Sequence, residues 1–453
     1  MADHAVSTDA AVQAQLDRLW SLSPGADILG LERIAILLAR LGDPHLALPP
    51  VFHVAGTNGK GSTCAFLRAA LEADGRTVHV FTSPHLVRFN ERIRIAGKLI
   101  EDDALALLLA RVLDVAEDVN ASFFEVTTAA TFLAFAETPA DACIVEVGLG
   151  GRLDATNVLP APAVCGIAQL GIDHQAFLGD TLVQIAAEKA GIAKPGVPLV
   201  TMRYGREAGA AVRETAARAG AQWLPMGSGW DAAVYRERLH YRDADGRIDL
   251  PLPRLPGQHQ PMNLALAIAM LRHQQVIPVH EAALRAAPLW AHWPARLQRM
   301  DNGPLLAPLA DADGVLTRLV WLDGGHNAGA GEMLGAFFDA ERLAGQRLQL
   351  VIGMLENKDI DDFLTPLEGK VAHIHCLPVP GHAHHPLARF AQIAARWGIG
   401  CTAYEQPAQA IGAIAIADGP PSDPASPAGA PVLICGSLYL AGEVLRLNNQ
   451  LPD

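Results

Sequence analysis

The sequence predicts an α/β protein with two domains, each built around a mostly parallel sheet. Its 453 residues, half of them hydrophobic, exceed what one ordinary core accommodates. Short runs rich in Val and Ile, without strict polar alternation, are typical of strands buried on both faces of a parallel sheet. Such runs alternate with helical stretches before and after a connector near residues 294 to 304, which contains Pro294 and a "DNG" turn signal. We therefore expect domains at residues 1–302 and 303–453.

The strands of the first domain are predicted from residue 51 onward. "VFHVAG" predicts a strand, and "STCAFLRAALEADG" predicts a helix that ends at Gly75. Further strands are predicted from "TVHVFTS", "ACIVEVG", "PAVCGIAQLG" and "VPLVTM". The second domain has candidate strands from about residue 318, in "RLVWLDGG", "LQLVIGML", "HIHCLPV" and "PVLICGS". Residues 417–431, rich in Pro, Ala, Gly and Ser, predict a solvated loop before the last strand.

Composition excludes several classes of protein. The formal net charge is -13 and no run is rich in Lys or Arg, which argues against binding of nucleic acid. Six cysteines lie far apart without a C-x-x-C pair, which favours free thiols in a reducing cytosol. The N-terminus lacks the apolar core of a secretory signal, and no apolar run reaches the roughly 18 to 20 residues that span a bilayer. We expect a soluble cytoplasmic protein with small positive pockets for anionic ligands.

Polar residues follow four of the predicted strands in the first domain. The first strand ends in a glycine loop with Lys60, and the others are followed by Ser83, by Glu146 and by Asp173 with His174. Because ligands bind beyond the carboxyl ends of parallel strands, we expect these side chains to face one site. Glycine amides, a lysine, a hydroxyl, a carboxylate and an imidazole together suit a Mg²⁺-nucleotide.

The glycine loop "GTNGKGS", residues 56–62, differs from the common phosphate loop G-x-x-x-x-G-K-[ST], because Gly61 separates Lys60 from Ser62. A glycine-rich turn between a strand and a helix directs backbone N–H groups at an anion, and the helix dipole adds to the attraction. Lys60 would reach the outer phosphates. The extra glycine predicts that Ser62 or Thr63 would face a metal or cap the helix.

The spacing of the other polar residues does not by itself decide their roles. Glu146, in an apolar strand, would bind a metal or pair with Arg152. His174 by itself would more often be structural, and the position of Lys189 in its helix favours a solvent-facing side chain. Asn263 would bind a base or ribose, or simply start a helix. Three further positions are equally weak when taken singly: Arg296, Asp323 and His326.

Seven stretches keep a common order over nearly the whole chain, within a span from Leu29 to residue 443. They are "AGTNGKGST", "SPHLVRFNERI", "EVGLGGRLDATN", "EKAGI", "GQHQ" with the following Asn263, "WPARLQ" and "LDGGHN". Together they resemble the folylpolyglutamate synthase and dihydrofolate synthase family, a branch of the Mur ligase superfamily of ATP-dependent amide-forming ligases. The resemblance implies a P-loop ATPase-like domain with a pterin site over residues 1–302. It implies a smaller, Rossmann-like glutamate-ligase domain over residues 303–453.

The resemblance also implies a reaction. ATP phosphorylates the carboxylate of the substrate, and the amine of L-glutamate attacks the resulting acyl phosphate. Catalysis is then mostly positioning and neutralisation of charge. "LDATN" resembles the bifunctional bacterial members, which make dihydrofolate and then extend folates with glutamate. Two stretches depart from the family pattern: "DHQAFLG" lacks the usual hydroxyl and acidic residues, and "PVPGHAHHP" is unusually rich in histidine.

Each matched position carries an implied role. ATP contacts are implied at Thr57, Asn58, Gly59, Lys60, Gly61, Ser62, Asn263, Arg296 and Asp323. Metal ligands are implied at Ser83, Glu146, His174 and Lys189, the last as a carbamate. The pterin substrate would lie against Leu29, Gly30, Leu31, Phe124, Leu153, Asp154 and Ala155. Catalytic roles are implied for Lys60, Lys189, His326 and Ser437.

The implied cofactors are ATP, two Mg²⁺ ions and a monovalent cation. The implied partners are small molecules only (dihydropteroate, reduced folates and L-glutamate), with no nucleic acid, no membrane and a monomeric chain. Two other hypotheses stay open: a Mur-type ligase with another acceptor, such as a UDP-sugar peptide, and a non-catalytic nucleotide-gated switch.

Overall fold

The protein's structure is a computed structural model that describes residues 6–22, 29–341, 345–418 and 429–453. The chain forms two compact units. The first contains the described residues up to Arg254, residues 259–293 and Asp453, and the second contains residues 255–258 and 294–452. The division falls at the start of the predicted connector, residues 294 to 304, and a strand of the second sheet begins at Gln298.

The first unit consists of helices packed on an extended sheet. Its helices are α1 (Ala10–Leu22), α2 (Glu32–Arg40), α3 (Lys60–Ala73), α4 (Asp102–Asp114), α5 (Phe123–Glu137), α6 (Gln175–Leu178), α7 (Leu182–Ala190), α8 (Arg206–Ala219), α9 (Gln260–His273) and α10 (Glu281–Trp290). Its strands are β1 (Val51–Ala55), β2 (Val78–Phe81), β3 (Ile93–Ile95), β4 (Lys98–Leu99), β5 (Ala142–Glu146), β6 (Val164–Ile167), β7 (Pro198–Thr201), β8 (Gln222–Pro225), β9 (Trp230–Tyr235), β10 (Arg238–Asp243) and β11 (Gly246–Pro251).

The larger sheet of the first unit has the order β4-β3-β2-β5-β1-β6-β7-β8 within the described residues. In this sheet the pairs β2–β5, β5–β1, β1–β6, β6–β7 and β7–β8 are parallel. The pairs β2–β3 and β3–β4 are antiparallel. Every residue of β1 and β5 is buried, as expected for central strands covered on both faces. The predicted strands of this domain are therefore confirmed.

A small antiparallel sheet, with the order β11-β10-β9, was not predicted. Its first hairpin turns at Arg236 and Glu237, which have φ values of 48° and 56°. Two-residue hairpin turns of this kind usually contain Asn or Gly, so the sequence carried little local signal for the turn.

The second unit has helices α11 (Ala328–Glu341), α12 (Ile360–Leu364), α13 (Leu387–Trp397), α14 (Pro407–Asp418) and α15 (Leu438–Leu447). Its strands are β12 (Gln298–Arg299), β13 (Val320–Leu322), β14 (Leu348–Ile352), β15 (Val371–Cys376), β16 (Gly400–Ala403) and β17 (Val432–Cys435).

The sheet of the second unit has the order β12-β13-β17-β14-β15-β16, parallel except for the β12–β13 pair. The four strands predicted here are present. The predicted loop at 417–431 overlaps the end of α14, and residues 419–428 lie outside the described part of the chain. Within the described ranges, no helix is long and apolar enough to cross a membrane.

Candidate active site

The carboxyl ends of four neighbouring strands carry the predicted polar residues of the first unit. In the strand order β2-β5-β1-β6, all pairs are parallel, so these ends lie at one edge of the sheet. The glycine loop follows β1, Ser83 follows β2, Glu146 ends β5, and Asp173 with His174 follow β6. The strand order therefore brings the ends of these four strands together at one edge of the sheet.

The glycine loop is held in its shape by backbone geometry that glycine favours. Gly56 has a φ of 150° and Gly59 a φ of 85°, in the region that favours glycine over other residues. A Cβ on Gly59 would lie 2.4 Å from Oδ1 of Asn263. Gly59 is the N-cap of α3 and has no side chain with which to satisfy the first N–H groups of the helix. These N–H groups and the helix dipole form an anion site.

Two lysines converge on a single carbonyl of this loop. Nζ of Lys60 donates to the carbonyl oxygens of Gly56 (3.2 Å) and Thr57 (3.3 Å), and Nζ of Lys189 donates to that of Gly56 at 3.0 Å. Lys189 is only 5% exposed, so the interpretation of a solvent-facing side chain is wrong. It lies on the inner face of α7, which the spacing of apolar residues did not reveal.

The pKa of Lys189 is lowered to about 7. Burial is the main cause, since it disfavours the charged amine, and the neighbouring charge of Lys60 lowers the pKa further. Asp173 and Asp154 act in the opposite direction but are outweighed. A substantial fraction of the Lys189 side chain is therefore a neutral amine near pH 7.

The hydroxyl groups after Gly61 are engaged within the protein. Oγ1 of Thr63 donates to the carbonyl of Gly59 at 2.8 Å, and Oγ of Ser62 accepts from Nε2 of Gln260 at 3.3 Å. Oε1 of Gln260 in turn accepts from Nδ2 of Asn263 at 3.1 Å. The expectation that Ser62 or Thr63 caps α3 is wrong, because Gly59 occupies the N-cap position.

Glu146 and Ser83 lie next to each other at the sheet edge. The Glu146 side chain is buried, and its Oε2 accepts a hydrogen bond from the Ser83 backbone N at 3.4 Å. Arg152 forms its ion pair with Glu188 at 2.9 Å, so the interpretation of Arg152 as the partner of Glu146 is wrong. A buried carboxylate at the carboxyl edge of the sheet is of the kind that can bind a cation.

His174 begins α6 from a left-handed conformation, with a φ of 53°. Its backbone N donates to Oδ1 of Asp173 at 2.8 Å, and its Nε2 lies 4.0 Å from the same oxygen. This histidine follows β6 after the segment 168–173, in which Gln169 forms an isolated β-bridge with Asn58 of the glycine loop.

Three of the residues predicted to contact the pterin belong to one hydrophobic region: Ala155 lies in a buried cluster, and the half-buried Leu31 and Phe124 pack against it. A Cβ on Gly148 would lie 2.3 Å from Cζ of Phe124, so the glycine after β5 is needed for the ring to lie against the backbone. Three more of the predicted residues, Leu29, Gly30 and Leu153, are half-buried.

Asp154 is buried and organises its own loop. Its Oδ2 accepts from the backbone N of Leu149 at 2.8 Å, and its Oδ1 accepts from the backbone N (3.0 Å) and Oγ1 (2.5 Å) of Thr156. Burial raises the pKa of Asp154. Oγ1 of Thr156 also lies 2.8 Å from Nε2 of His53, a fully buried residue of β1 whose pKa burial lowers to about 3. Neutral His53 thus supports the "LDATN" loop, a role that no local pattern indicated.

In the second unit, Asp323 holds the connector to the sheet. Its Oδ2 accepts from the backbone N of Leu297 at 2.8 Å, and its Oδ1 accepts from that of Gly325 at 2.7 Å. Asp323 is 1% exposed, and burial raises its pKa although Arg296 opposes the shift. The residues that it stabilises include Leu297, whose φ of 46° is unusual outside glycine.

His326 and Ser437 follow the adjacent parallel strands β13 and β17. The backbone N of Gly436 donates to the carbonyl of Gly325 at 3.2 Å, which joins the two loops. Nδ1 of His326 lies 3.0 Å from the carbonyl oxygen of Gly324, and Oγ of Ser437 caps α15. The histidine-rich stretch also lies near Ser437. The ring of His382 stacks on that of Tyr439, two residues after Ser437, with centroids 3.8 Å apart.

Comparisons with known proteins show the family of this chain. The Mur ligase middle domain family matches residues 54–271. The dihydrofolate synthase/folylpolyglutamate synthase of Escherichia coli strain K12 is 35% identical over 420 residues, which cover 92% of this chain and 91% of that protein. The chain belongs to the dihydrofolate synthase/folylpolyglutamate synthase family of Mur ligases. A family member from Bacillus subtilis strain 168 is 36% identical over 364 residues, covering 76% of this chain and 80% of its own.

Solved structures of the family share the fold. E. coli FolC in complex with DHPP and ADP has a TM-score of 0.83 and 32% identity, covering 98% of this chain and 99% of that chain. A bifunctional folylpolyglutamate synthase/dihydrofolate synthase with Mn, AMPPNP and L-glutamate bound has a TM-score of 0.80 and 29% identity, covering 97% and 99%. The predicted α/β fold class, the family and its ligase activity are thereby confirmed.

Proposed function

We propose that this chain is a bifunctional ligase that joins L-glutamate to dihydropteroate and, in a second activity, to the γ-carboxylate of reduced folates. The observation that carries the proposal is the sheet edge where the glycine loop, Lys60, Lys189 and Glu146 meet in a member of this family. Relatives are named for both activities, and their structures hold DHPP with ADP, or AMPPNP with Mn and L-glutamate.

The loop fits the phosphates of ATP. The uncapped start of α3 offers backbone N–H groups, and Lys60 adds a positive charge close to them. In the described structure Lys60 donates only to carbonyls of its own loop, so it can turn to the phosphates without breaking an ion pair. The shape of this loop, and the position of Asn263 beside Gly59, support the proposed ATP contacts of residues Thr57 to Ser62 and of Asn263. Those of Arg296 and Asp323 remain predictions from the resemblance.

The residues at the sheet edge also fit Mg²⁺. Among the described residues, no group of three or more His, Cys, Asp or Glu side chains could hold a metal by itself. Mg²⁺ would therefore be held by few side chains together with phosphate oxygens and water, which is how it is usually bound beside a nucleotide. Glu146 and Ser83 would hold one ion, and His174 with modified Lys189 the second. When bound, the ions offset the negative charge of the phosphates.

Lys189 is suited to carry a carbamate. Its neutral amine attacks CO₂ to form an N–C bond, and the proton released from nitrogen passes to solvent. The lowered pKa supplies the neutral amine that this step needs, and burial shelters the product from water. The lysine then presents carboxylate-like oxygens, which suit a hard cation.

In the proposed reaction, a carboxylate oxygen of the acceptor attacks the γ-phosphorus of ATP, giving an acyl phosphate and ADP. The amine of L-glutamate then attacks the acyl carbon, and collapse of the tetrahedral adduct releases phosphate and leaves an amide. Lys60 stabilises the charge on the transferred phosphoryl group, and the N–H groups of α3 orient it. Leu31, Phe124 and the "LDATN" loop hold the acceptor.

His326 and Ser437, on two joined loops of the second unit, keep the catalytic roles that the resemblance implies. The proposal includes a monovalent cation as a further cofactor. It also includes a cytoplasmic, monomeric enzyme that acts only on small molecules, without nucleic acid or membrane partners.

The test is mass spectrometry of the products made from dihydropteroate and, separately, from tetrahydrofolate, each with ATP, Mg²⁺ and L-glutamate. We expect one glutamyl addition to dihydropteroate and one or more to tetrahydrofolate, with ADP formed in step. ADP release that is unaffected when both acceptors are omitted would contradict the proposal. Amide formation only with a UDP-sugar peptide would favour a Mur-type ligase, and nucleotide binding without any amide product would favour a switch.

A further inference from the structure

The unusual glycine of the phosphate loop, Gly61, has a partner in space. Gly61 is the second residue of α3, a position at which a helix does not itself require glycine. A Cβ at this position would lie 2.6 Å from Cζ2 of Trp293 and 2.7 Å from both Cε2 and Nε1. Three atoms of one rigid ring system thus occupy the volume of a side chain at residue 61. Gly61 is glycine because the indole lies across it.

Trp293 belongs to the same compact unit as the loop and is its last residue before Pro294. It follows α10, which packs along α3. Ala291, which links α10 to this segment, is buried and donates its backbone N–H to the carbonyl of Ala287 at 3.0 Å. The segment that carries the indole is therefore anchored to α10, and the indole is half-buried against the first turn of α3.

Three residues at the start of α3 are each contacted by one side chain from elsewhere in the unit. Asn263 fills the space beside Gly59, Gln260 donates to Ser62, and Trp293 covers Gly61. The first two partners lie on α9, and the third lies in the segment that follows α10; both α9 and α10 pack against α3. The indole is thus the apolar member of this group of three side chains, and Asn263 and Gln260 are its polar members.

We propose that Trp293 is a positioning residue for the phosphate loop. By packing on Gly61, its indole fixes the first turn of α3, so that the N–H groups of residues 60 to 62 face the phosphates of the nucleotide. Misplacement of a reacting group by about 1 Å can cost on the order of 10²-fold in rate, so a wall against this turn matters for catalysis. The proposal rests on the proposed function, because it requires that the loop binds ATP.

A purely structural role would have other consequences. If Trp293 only filled the core, its removal would lower stability and would leave the KM for ATP unchanged in the molecules that remain folded. A positioning role moves the KM for ATP, or the Kd for ADP, more than the KM of the folate acceptor. It also predicts that the effects of changes at positions 61 and 293 depend on each other.

The experiment is a double-mutant cycle with Gly61→Ala, Trp293→Ala and the double variant, and with Trp290→Ala as the matched control. Trp290 is three residues away and 61% exposed. We expect Gly61→Ala to weaken ADP binding by about tenfold or more, since the added methyl group must displace the loop or the indole. Trp293→Ala should weaken it several-fold, and the double variant should bind better than Gly61→Ala alone. Trp290→Ala should bind as the wild type does.

Additive effects in the cycle would overturn the proposal, as would an unchanged Kd for ADP in Trp293→Ala. If Gly61→Ala does not fold, Trp293→Phe decides: a retained ring should keep most of the ADP affinity that Trp293→Ala loses, and equal loss in both variants would contradict the proposal. Failure of the wild-type chain to bind ADP would instead contradict the proposed function. The two failures are thus distinguishable.

Discussion

The two units contain comparable loops that serve different purposes. In the first unit, the loop between β1 and α3 joins a buried parallel strand to a helix, and the loop between β13 and α11 does the same in the second. Both are rich in glycine and lie at the carboxyl edge of a parallel sheet. In the first loop the positive φ values fall on Gly56 and Gly59, and two lysines converge on the Gly56 carbonyl.

In the second loop, neither Gly324 nor Gly325 is among the described glycines with positive φ. A Cβ on Gly324 would lie 2.2 Å from Cδ2 of Leu438, so this glycine is required by close packing. The positive φ values fall instead on Ala295 and Leu297 of the adjoining connector, where each costs roughly 1–2 kcal/mol. Asp323 offsets this strain by accepting backbone hydrogen bonds. One loop is shaped for an anion, and the other for holding the chain.

The sharpest test of this contrast is Lys60→Ala in the first loop. Because Lys60 is proposed to supply charge to the phosphates but makes no ion pair in the structure, we expect kcat to fall by about 10²–10³-fold with little change in thermal stability. ADP formation and the midpoint of thermal unfolding would be measured together. Lys98→Ala, at an exposed position of β4, is the matched control and should leave both unchanged. Near-wild-type turnover in Lys60→Ala would show that the loop does not act on ATP.

The counterpart in the second loop is Asp323→Asn, which should act mainly on stability. The amide group of Asn must face one of the two backbone donors with its own NH₂, leaving that donor unpaired at a cost of about 1–3 kcal/mol. We expect a lower midpoint of denaturant unfolding, and Asp313→Asn, on the exposed surface of the same unit, should not change it. An unchanged midpoint with a raised KM for ATP would instead make Asp323 a ligand contact only.

A smaller effect is expected from pH, through Lys189. With its pKa near 7, the neutral fraction is about one half at pH 7 and about one tenth at pH 6. Carbamate formation, followed by ¹³C NMR in labelled bicarbonate, should therefore decline severalfold over that interval, and Lys189→Arg should abolish the signal. A signal that is equally strong at pH 6 and pH 8 would contradict this assignment.

The same shift has a consequence for stability. Because the pKa of Lys189 is lower in the folded chain than the ordinary value of 10.5, the unfolded chain binds the extra proton between about pH 7 and pH 10.5. The free energy of unfolding therefore decreases as the pH falls from about 10.5 to about 7, and below the folded pKa this group causes no further change. The unfolding free energy of the wild type relative to Lys189→Met should follow this trend.

The local sequence pattern was sufficient to predict the main parallel strands and the polar residues that follow them. Val51–Ala55 and Ala142–Glu146 are short, apolar and buried on both faces, so their sequence and their environment agree. Pattern failed for the hairpin at Arg236 and Glu237, because these residues adopt positive φ without being Asn or Gly. It failed again for Arg152, whose ion pair with Glu188 joins positions far apart in the chain.

The sequence by itself determined the α/β class, the main parallel strands with the polar residues that follow them, and the family, because each of these depends on short stretches of contiguous residues. Only the tertiary structure decided that Lys189 is buried against Gly56, that Asp323 holds the connector, and that Trp293 covers Gly61. Each of these depends on residues brought together from distant parts of the chain. Burial and packing, unlike helix or strand formation, are properties of that assembly and leave no periodic trace in the letters.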